Sequence, residues 1–587
     1  MINSLLNKYN LGGYINITAD EHLNEYIGPS DKRVEFLTGF TGSNGLAVTC
    51  KNNALFTDSR YYLQAEKELT NYKMKKMGID SLEEYLRDNI EIKRVGLNPR
   101  HYTTEYIKTL TENLSKHAIE LVQITEDFVD EIYAHKPVRI FNKVYSIENY
   151  KICDFYKENF KRLGINENYR NFMIYKDLEE NAIICGKTYQ EKIKEIREEI
   201  NEDEELIITE MDTICWVFNL RGSDIKYNPL FYAYASLNKK EVRLFCNAEI
   251  KLENVEICKY EDFENFLFKN TNKFVVSNTC NGYLNSLLKS PKYTDKIRLC
   301  QSQKTREELE GFNLAYILDG VALNKLFVWI NKNENVTEKQ VSEKLDEIKS
   351  EFYGYKFPSF ESIVGAGSNS AIIHYSAGEE QIKNDQICLL DVGSNYIFGT
   401  TDTSRTLFLG KVNEKIKTMY TKILKGQIRA MSQIYPKNIN GCIIDSLTRL
   451  DLWNKFENYG HASGHGVGHF LCVHEGPPTL SYNFNSKILL NQVFSIEPGI
   501  YYDGEFGIRL ENLVFSQEVD DKFMRLVNLT YVPYQWNMID SSLLEEEEIN
   551  NINSVFEKIR EKILPLISTE EEREYLLKNT SKIIKKN

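Results

Sequence analysis

The sequence predicts a multidomain protein of α/β (α+β) class, in which two successive α/β units precede a larger C-terminal unit. Three observations predict it. The 587 residues are too many for one hydrophobic core, given domains of roughly 100–200 residues. Short apolar runs alternate with amphipathic helical stretches through the first half, as in layered α/β units. The second half changes character: one long helical pattern is followed by strands separated by glycine-rich turns.

The first region, about 1–137, contains the strand-like runs GLAVTC and ALFTDSRYYLQA and a helical stretch over Ser81–Asn89. It ends at His135-Lys136-Pro137, because proline disfavours helix in the residue before it. The second region, about 138–297, repeats the alternation. A helix near 188–202 leads to ELIITEMDTICWVFNLRGSD, and YAYASL, EVRLFCNAEI and KFVVSN read as strands. Two α/β units of similar size hint at a duplicated fold, with no residue-level repeat to support it. The charged stretch Asn201–Glu205 reads as a solvent loop.

The third region, about 298–587, opens on a long helix. Phe312, Ala315, Leu318, Ala322, Leu326 and Trp329 recur at steps of three or four and share one face. Further helices are expected near 337–352 and 413–434. From Glu545 the chain alternates acidic and basic helical segments, read as a solvent-facing helical extension.

Composition narrows the function. With 42% hydrophobic and 27% charged residues, the chain is expected to be globular. A formal charge of -13 argues against a nucleic-acid backbone or an anionic membrane as the main partner. The 11 cysteines form no CxxC pair, which suits reduced thiols in the cytoplasm. The N-terminal stretch lacks the sustained apolar run of a secretory signal. No apolar run approaches the roughly 20 residues that span a bilayer. The expectation is a soluble, cytoplasmic protein.

The chemistry concentrates in the third region. HASGHGVGHFLCVHEGP holds His461, His465, His469 and His474, four of the 9 histidines in the chain. Upstream, Asp391 closes the apolar run Ile387–Leu390. Gly393-Ser394-Asn395 reads as a turn and 396–409 as the returning strand, a hairpin that aims Asp391 and Asp402 into one cavity. Downstream, Glu497 and Glu511 lie in SIEPGIYY and GIRLENLVF, joined by the turn Asp503–Gly507. One neutral imidazole with four carboxylates suits a pair of hard divalent cations. Arg509, two residues before Glu511, points the same way on a strand and is a candidate to fix that carboxylate. Arg405 is expected to face the other side, in a structural ion pair. Ser404 and Cys472 lack a base-plus-orienter arrangement and are not nucleophile candidates.

From Phe360 to about Leu543 the chain resembles the catalytic domain of the metal-dependent pita-bread peptidases. Within them it is similar to the long, three-domain cytosolic type of the aminopeptidase P family. FLTGFTGSNGLAV, FTDSRYYLQAEKEL and WVFNLRGSDIKYNPLFYAYA extend the likeness outside that domain. The resemblance implies two creatinase-like N-terminal domains, 1–137 and 138–297, before a pita-bread domain at 298–587. It implies that Asp391, Asp402, His465, Glu497 and Glu511 are metal ligands. Asp402 and Glu511 would bridge, Asp391 would serve one metal, and His465 with Glu497 would complete the other. Manganese is implied, two ions per subunit; the ligand types also admit zinc or cobalt.

The likeness further implies that His374, His461 and His474 line the substrate cleft and donate to the scissile carbonyl, with Tyr501 and Arg509 beside them. His469 departs from the family's small residue and is read as structural. Ala462 and Ser463 replace the commoner Gly-Thr. The expected reaction is hydrolysis of an N-terminal Xaa-Pro bond by a hydroxide held between the metals, with Glu497 shuttling its proton. The expected partners are peptides with proline at the second position, and the resemblance implies a homodimer. An Xaa-Pro dipeptidase (prolidase) is the nearest alternative, disfavoured because such chains carry one N-terminal unit. A methionine aminopeptidase is disfavoured by length. A non-catalytic pita-bread binding protein is disfavoured because all five ligand positions are filled.

Overall fold

The computed structural model describes residues 2–333 and 335–585. The chain divides into two compact units, one formed by Met1–Ser146 with Tyr189–Ile297, the other by Ile147–Thr188 with Arg298–Asn587.

The first unit holds two six-stranded sheets. Across the first, the strands are Lys73–Lys76, Ala54–Thr57, Gly45–Thr49, Gly13–Ile17, Arg94–Leu97 and Glu120–Gln123. Across the second, they are Glu256–Cys258, Val242–Phe245, Tyr234–Leu237, Glu204–Ile208, Lys273–Val276 and Lys292–Tyr293. Numbered along the chain within each sheet, both read 4-3-2-1-5-6. Both pair strands one to three antiparallel and all other neighbours parallel. Shared order and shared sense are the duplication that the sequence only hinted at.

Local signals set several boundaries. The helix Leu82–Asn89 begins where the Ser81 side chain accepts from the Glu84 amide. In the charged stretch 201–205, residues 201–203 form the exposed loop expected, but the last two residues do not. Glu204 and Glu205 open a buried central strand. Glu205 is satisfied there by the Asn238 and Asn272 side-chain amides, at 2.7 and 2.9 Å.

In the second unit the helix Arg306–Lys332 starts with a capping box between Thr305 and Glu308. The sequence assigned it one apolar face, but it is buried on nearly all sides, Leu314, Tyr316, Ile317 and Leu323 included. It is long and apolar enough to cross a membrane, yet 89% of that window is buried inside the fold, the mark of a core helix. Its C-terminal neighbours are the helices Glu546–Ile563 and Glu570–Asn579. The first buries Ile552, Phe556, Ile559 and Ile563, so the extension expected to face solvent carries core. Residues 147–188 join this unit through buried Glu310, which accepts from the Tyr156 hydroxyl and from the amides of Ile174 and Tyr175.

Two sheets and a ribbon complete the unit. Gln386–Tyr396 pairs with Gly399–Leu409 on one side and with Ile363–Ala366 and Tyr355–Phe357 on the other. The larger sheet runs Ile434–Pro436, Phe523–Asn528, Asn512–Glu518, Val493–Ile496, Gly464–Gly466, Glu475–Leu480. Gly499–Tyr502 and Phe506–Arg509 form the ribbon.

Candidate metal centre

Asp391 and Asp402 stand on the hairpin Gln386–Tyr396/Gly399–Leu409, whose register pairs Asp391 with Ser404 and Gly393 with Asp402. Cross-strand partners share a face, so Asp391 and Asp402 are diagonal neighbours on one surface. The turn is at Ile397-Phe398, not at Gly393-Ser394-Asn395. Those small residues belong to a crowded strand. A Cβ on Gly393 would collide with the Ser359 hydroxyl and the Thr401 carbonyl, and Ser394 donates to buried Asp319 at 3.0 Å.

Glu497 and Glu511 occupy the corner where two paired chains pass from the larger sheet into the ribbon. Ile496 faces Asn512 on one side of the corner and Gly499 faces Arg509 on the other. Gln427, on the helix Glu414–Ser432, clamps the corner by donating to the carbonyls of Ile496 and Leu510, both at 2.9 Å. The Glu511 amide donates to the Ser404 carbonyl at 3.1 Å, which seats this corner against the first hairpin.

His465 lies on the short strand Gly464–Gly466. Its backbone amide donates to the Ser495 hydroxyl at 3.0 Å, and that hydroxyl donates to Glu497 Oε1 at 3.2 Å. His465 Nδ1 lies 2.9 Å from the Gly466 carbonyl, an acceptor only, so Nδ1 carries a proton and in the neutral ring Nε2 presents its lone pair. His465 Nε2 faces Asp402 Oδ2 at 3.5 Å and Glu497 Oε1 at 3.4 Å. Ligand atoms of Asp402, His465 and Glu511 all lie within 4.8 Å of one another.

The electrostatics of this cluster are unbalanced. Burial first, then the charges of Glu511, Asp391 and Glu497, push Asp402 well above the usual carboxylate range. Burial, then Asp391 and Glu497, raises Glu511 likewise. Glu497 is pushed up to about 7 by burial, against the pull of Arg509. Asp391 Oδ2 accepts from Arg509 Nη2 at 2.7 Å, while its buried Oδ1 has no hydrogen-bond partner among the described residues. An imidazole nitrogen set between two carboxylates, a buried Asp391 oxygen without a hydrogen-bond partner among the described residues and mutually raised acids are what divalent cations would stabilise, so the residues present fit a metal pair.

Around the acids a directed chain of hydrogen bonds runs from Arg509. Its Nη1 donates to the Tyr501 hydroxyl at 2.8 Å, and Tyr501 lies 2.9 Å from His461 Nε2. His461 Nδ1 is 2.7 Å from the Ala462 carbonyl and donates to it, so with a neutral ring Tyr501 donates to Nε2. The His474 ring stands edge to face with His465, centroids 4.4 Å apart. His374 follows Ile373, whose carbonyl accepts from Arg509 Nη2 at 3.3 Å.

The C-terminal unit matches the model of metallopeptidase family M24 over residues 310–518 and that of the C-terminal region of peptidase M24 over 522–583. The creatinase/prolidase N-terminal domain matches twice, at 14–132 and 177–308. A probable Xaa-Pro aminopeptidase P of Coprinopsis cinerea is 32% identical over 99% of this chain and 97% of its own. The chain belongs to the aminopeptidase P branch of metallopeptidase family M24. A second member, from Laccaria bicolor, is 31% identical over 96% of this chain and 90% of its own. The crystal structure of X-prolyl aminopeptidase from Caenorhabditis elegans, described as a cytosolic enzyme with a di-nuclear active site, superposes with a TM-score of 0.87. It is 27% identical and covers 97% of this chain and 95% of its own. An Xaa-Pro dipeptidase from Bacillus anthracis shares the fold at TM-score 0.50 and 22% identity, covering 59% of this chain and 99% of its own. The two creatinase-like units and the pita-bread domain expected from the sequence are those of the aminopeptidase P branch.

Two expectations need correction. Arg509 does not touch Glu511 directly: its Nε donates to the Ser404 hydroxyl at 3.0 Å, which donates to Glu511 Oε2 at 3.1 Å. Arg405 does face away from the acids, but its guanidinium is spent on the carbonyls of Ser404, Glu511, Val532 and Pro533 and on the Asn512 side chain, not on a carboxylate. His469 is structural, with Nε2 2.9 Å from the Phe398 carbonyl. The sequence reading passed over Ser404 as a relay, and over Ser495 and Gln427. None lies in a periodic or clustered pattern, and Ser404 alone carried a positional signal, two residues beyond Asp402.

Proposed function

We propose that the protein is a two-metal exopeptidase that hydrolyses the bond between an N-terminal residue and a following proline, with two α/β domains (1–137 and 138–297) before a catalytic domain (298–587), residues 147–188 of the second region packing with the catalytic unit. Full-length similarity to relatives named Xaa-Pro aminopeptidase P supports the activity. The observation that carries the site is the meeting of His465 Nε2 with the raised carboxylates Asp402, Glu497 and Glu511, beside a buried Asp391 oxygen that has no hydrogen-bond partner among the described residues. Asp391, Asp402, His465, Glu497 and Glu511 would hold the two cations, with Asp402 and Glu511 shared. The oxygen-rich donor set with one imidazole favours manganese. When bound, the cations supply Lewis acidity and lower the pKa of the attacking water.

The side chains supply the rest. Glu497 would take a proton from the attacking water at its carboxylate and return it to the leaving proline nitrogen. His374 and His474 donate to the oxygen of the scissile carbonyl as charge develops there. Neutral His461 has its Nδ1 proton committed to Ala462, so it acts on the cleft through Tyr501. Proline in the second position lacks an amide N–H and has a fixed φ, which excludes it from sites that need an N–H donor.

Cleavage of paired Xaa-Pro-Xaa and Xaa-Ala-Xaa tripeptides tests the reading. Selective release of the first residue before proline is expected, and equal cleavage would contradict it. A dipeptidase would refuse both. Cytoplasmic residence is supported by eleven cysteines that include no CxxC pair and by the cytosolic worm relative. A homodimer is supported by an exposed apolar row, Ile443, Leu450 and Trp453, on the helix Gly441–Trp453. Trp453→Glu is expected to give a monomer by light scattering; an unchanged mass would contradict that interface.

A further inference from the structure

The segment that carries His374 runs from the end of the strand Ile363–Ala366 to Ile382, with only the short 3-10 turn Gly367–Ala371 in it. A loop that presents a catalytic side chain needs fixing, because misplacement on the ångström scale costs rate. Four donors from this loop meet on one carboxylate, that of Glu338, at the start of the helix Glu338–Ser350. Oε1 accepts from the Ala366 amide at 2.8 Å and from Asn369 Nδ2 at 3.0 Å. Oε2 accepts from the Tyr375 hydroxyl at 2.7 Å and from the Gly378 amide at 3.1 Å. Two donors precede His374 and two follow it.

Glu338 is fully buried, 0% exposed, and among the described residues no lysine or arginine pairs with it. Its charge rests on those four donors and on the helix N-terminus. The backbone adds to the clamp: the Glu338 amide donates to the Glu380 carbonyl at 3.0 Å, and the Lys339 amide to the Gly378 carbonyl at 2.9 Å. On its other side the loop is tied to the strand of Arg509. The Gly507 amide donates to the Ser370 hydroxyl at 2.8 Å, and Arg509 Nη2 donates to the Ile373 carbonyl. His374 is therefore held between a buried anion and the arginine that holds Asp391.

The geometry points to Glu338 as the positioning residue for His374, setting that imidazole against the substrate carbonyl without itself touching substrate or metal. This rests on the reading of His374 as a donor to the scissile carbonyl. The Glu338→Gln change keeps the shape but puts an amide N–H where two donors converge, so one must let go. Tyr375→Phe removes a single donor and leaves three.

The test is steady-state kinetics of metal-loaded E338Q, Y375F, H374A and the E338Q/H374A double variant on an Xaa-Pro-Xaa tripeptide, with metal content and Tm for each. E338Q is expected to lower kcat about 10–100-fold with KM nearly constant and metal content retained. Y375F is expected to lower kcat by a smaller factor in the same direction. In the H374A background E338Q is expected to change kcat less than about 3-fold, since the two act as a unit. The same loss from E338Q with and without His374, or wild-type kcat in both E338Q and Y375F, would overturn the assignment. Wild-type kcat in H374A would instead bring down the reading of His374, and the positioning role with it.

Discussion

Arg509 grips one oxygen of Asp391 at 2.7 Å and leaves the other, buried, with no hydrogen-bond partner among the described residues. The arginine thus orients the carboxylate while keeping Oδ1 for a cation. It also reaches Glu511 through Ser404 and His461 through Tyr501, so one guanidinium sets acids and histidine together. Its planar fork makes contacts that a lysine cannot reproduce.

Arg509→Lys is therefore expected to weaken manganese binding by about 10–100-fold, measured by calorimetric titration, and to lower kcat/KM with it. An unchanged Kd would mean that the ligands are fixed without this residue.

The pH dependence of the metal-free protein follows from Glu497, raised from 4.5 to about 7. The folded state holds a proton that the unfolded chain has released, so unfolding stability falls as pH rises. The contribution is whole below about 4.5 and is lost as pH passes through about 7. Thermal melts in chelator are expected to show Tm falling by a few degrees over that window, and added manganese to reverse the fall at the upper end. A Tm that rose with pH in chelator would contradict the unbalanced cluster.

Gly464 tests the backbone beside His465. A Cβ there would collide with the Ser495 carbonyl, on the strand next to it. Gly464→Ala is expected to cost about 1–3 kcal/mol of stability in urea titration and to reduce metal uptake as His465 is displaced. Full stability and full uptake would show that the two strands have slack.

The five proposed ligand positions could be singled out because acids flank a histidine-rich stretch and because the resemblance to the pita-bread peptidases marks them. The doubled α/β unit was legible only as an alternation. Its shared strand order arises from long-range pairing that no local pattern encodes. Gly393-Ser394-Asn395 misled because small polar residues favour turns and also suit a crowded strand, and here the crowding from Ser359 and Thr401 decides. Glu204 and Glu205 misled because a charged run is usually solvated, yet side-chain amides distant in sequence satisfy Glu205. The attachment of 147–188 to the catalytic unit turns on Glu310, buried under Tyr156, and burial of a single acid has no sequence signature.

The central claim is that two divalent cations bind at Asp391, Asp402, His465, Glu497 and Glu511, and elemental analysis of the metal-loaded protein tests it most directly. Two ions per chain are expected in the wild type, with loss of metal and of Xaa-Pro cleavage in both Asp402→Asn and Glu511→Gln. A wild-type protein that takes up no cation, or variants that keep both metal and turnover, would contradict it.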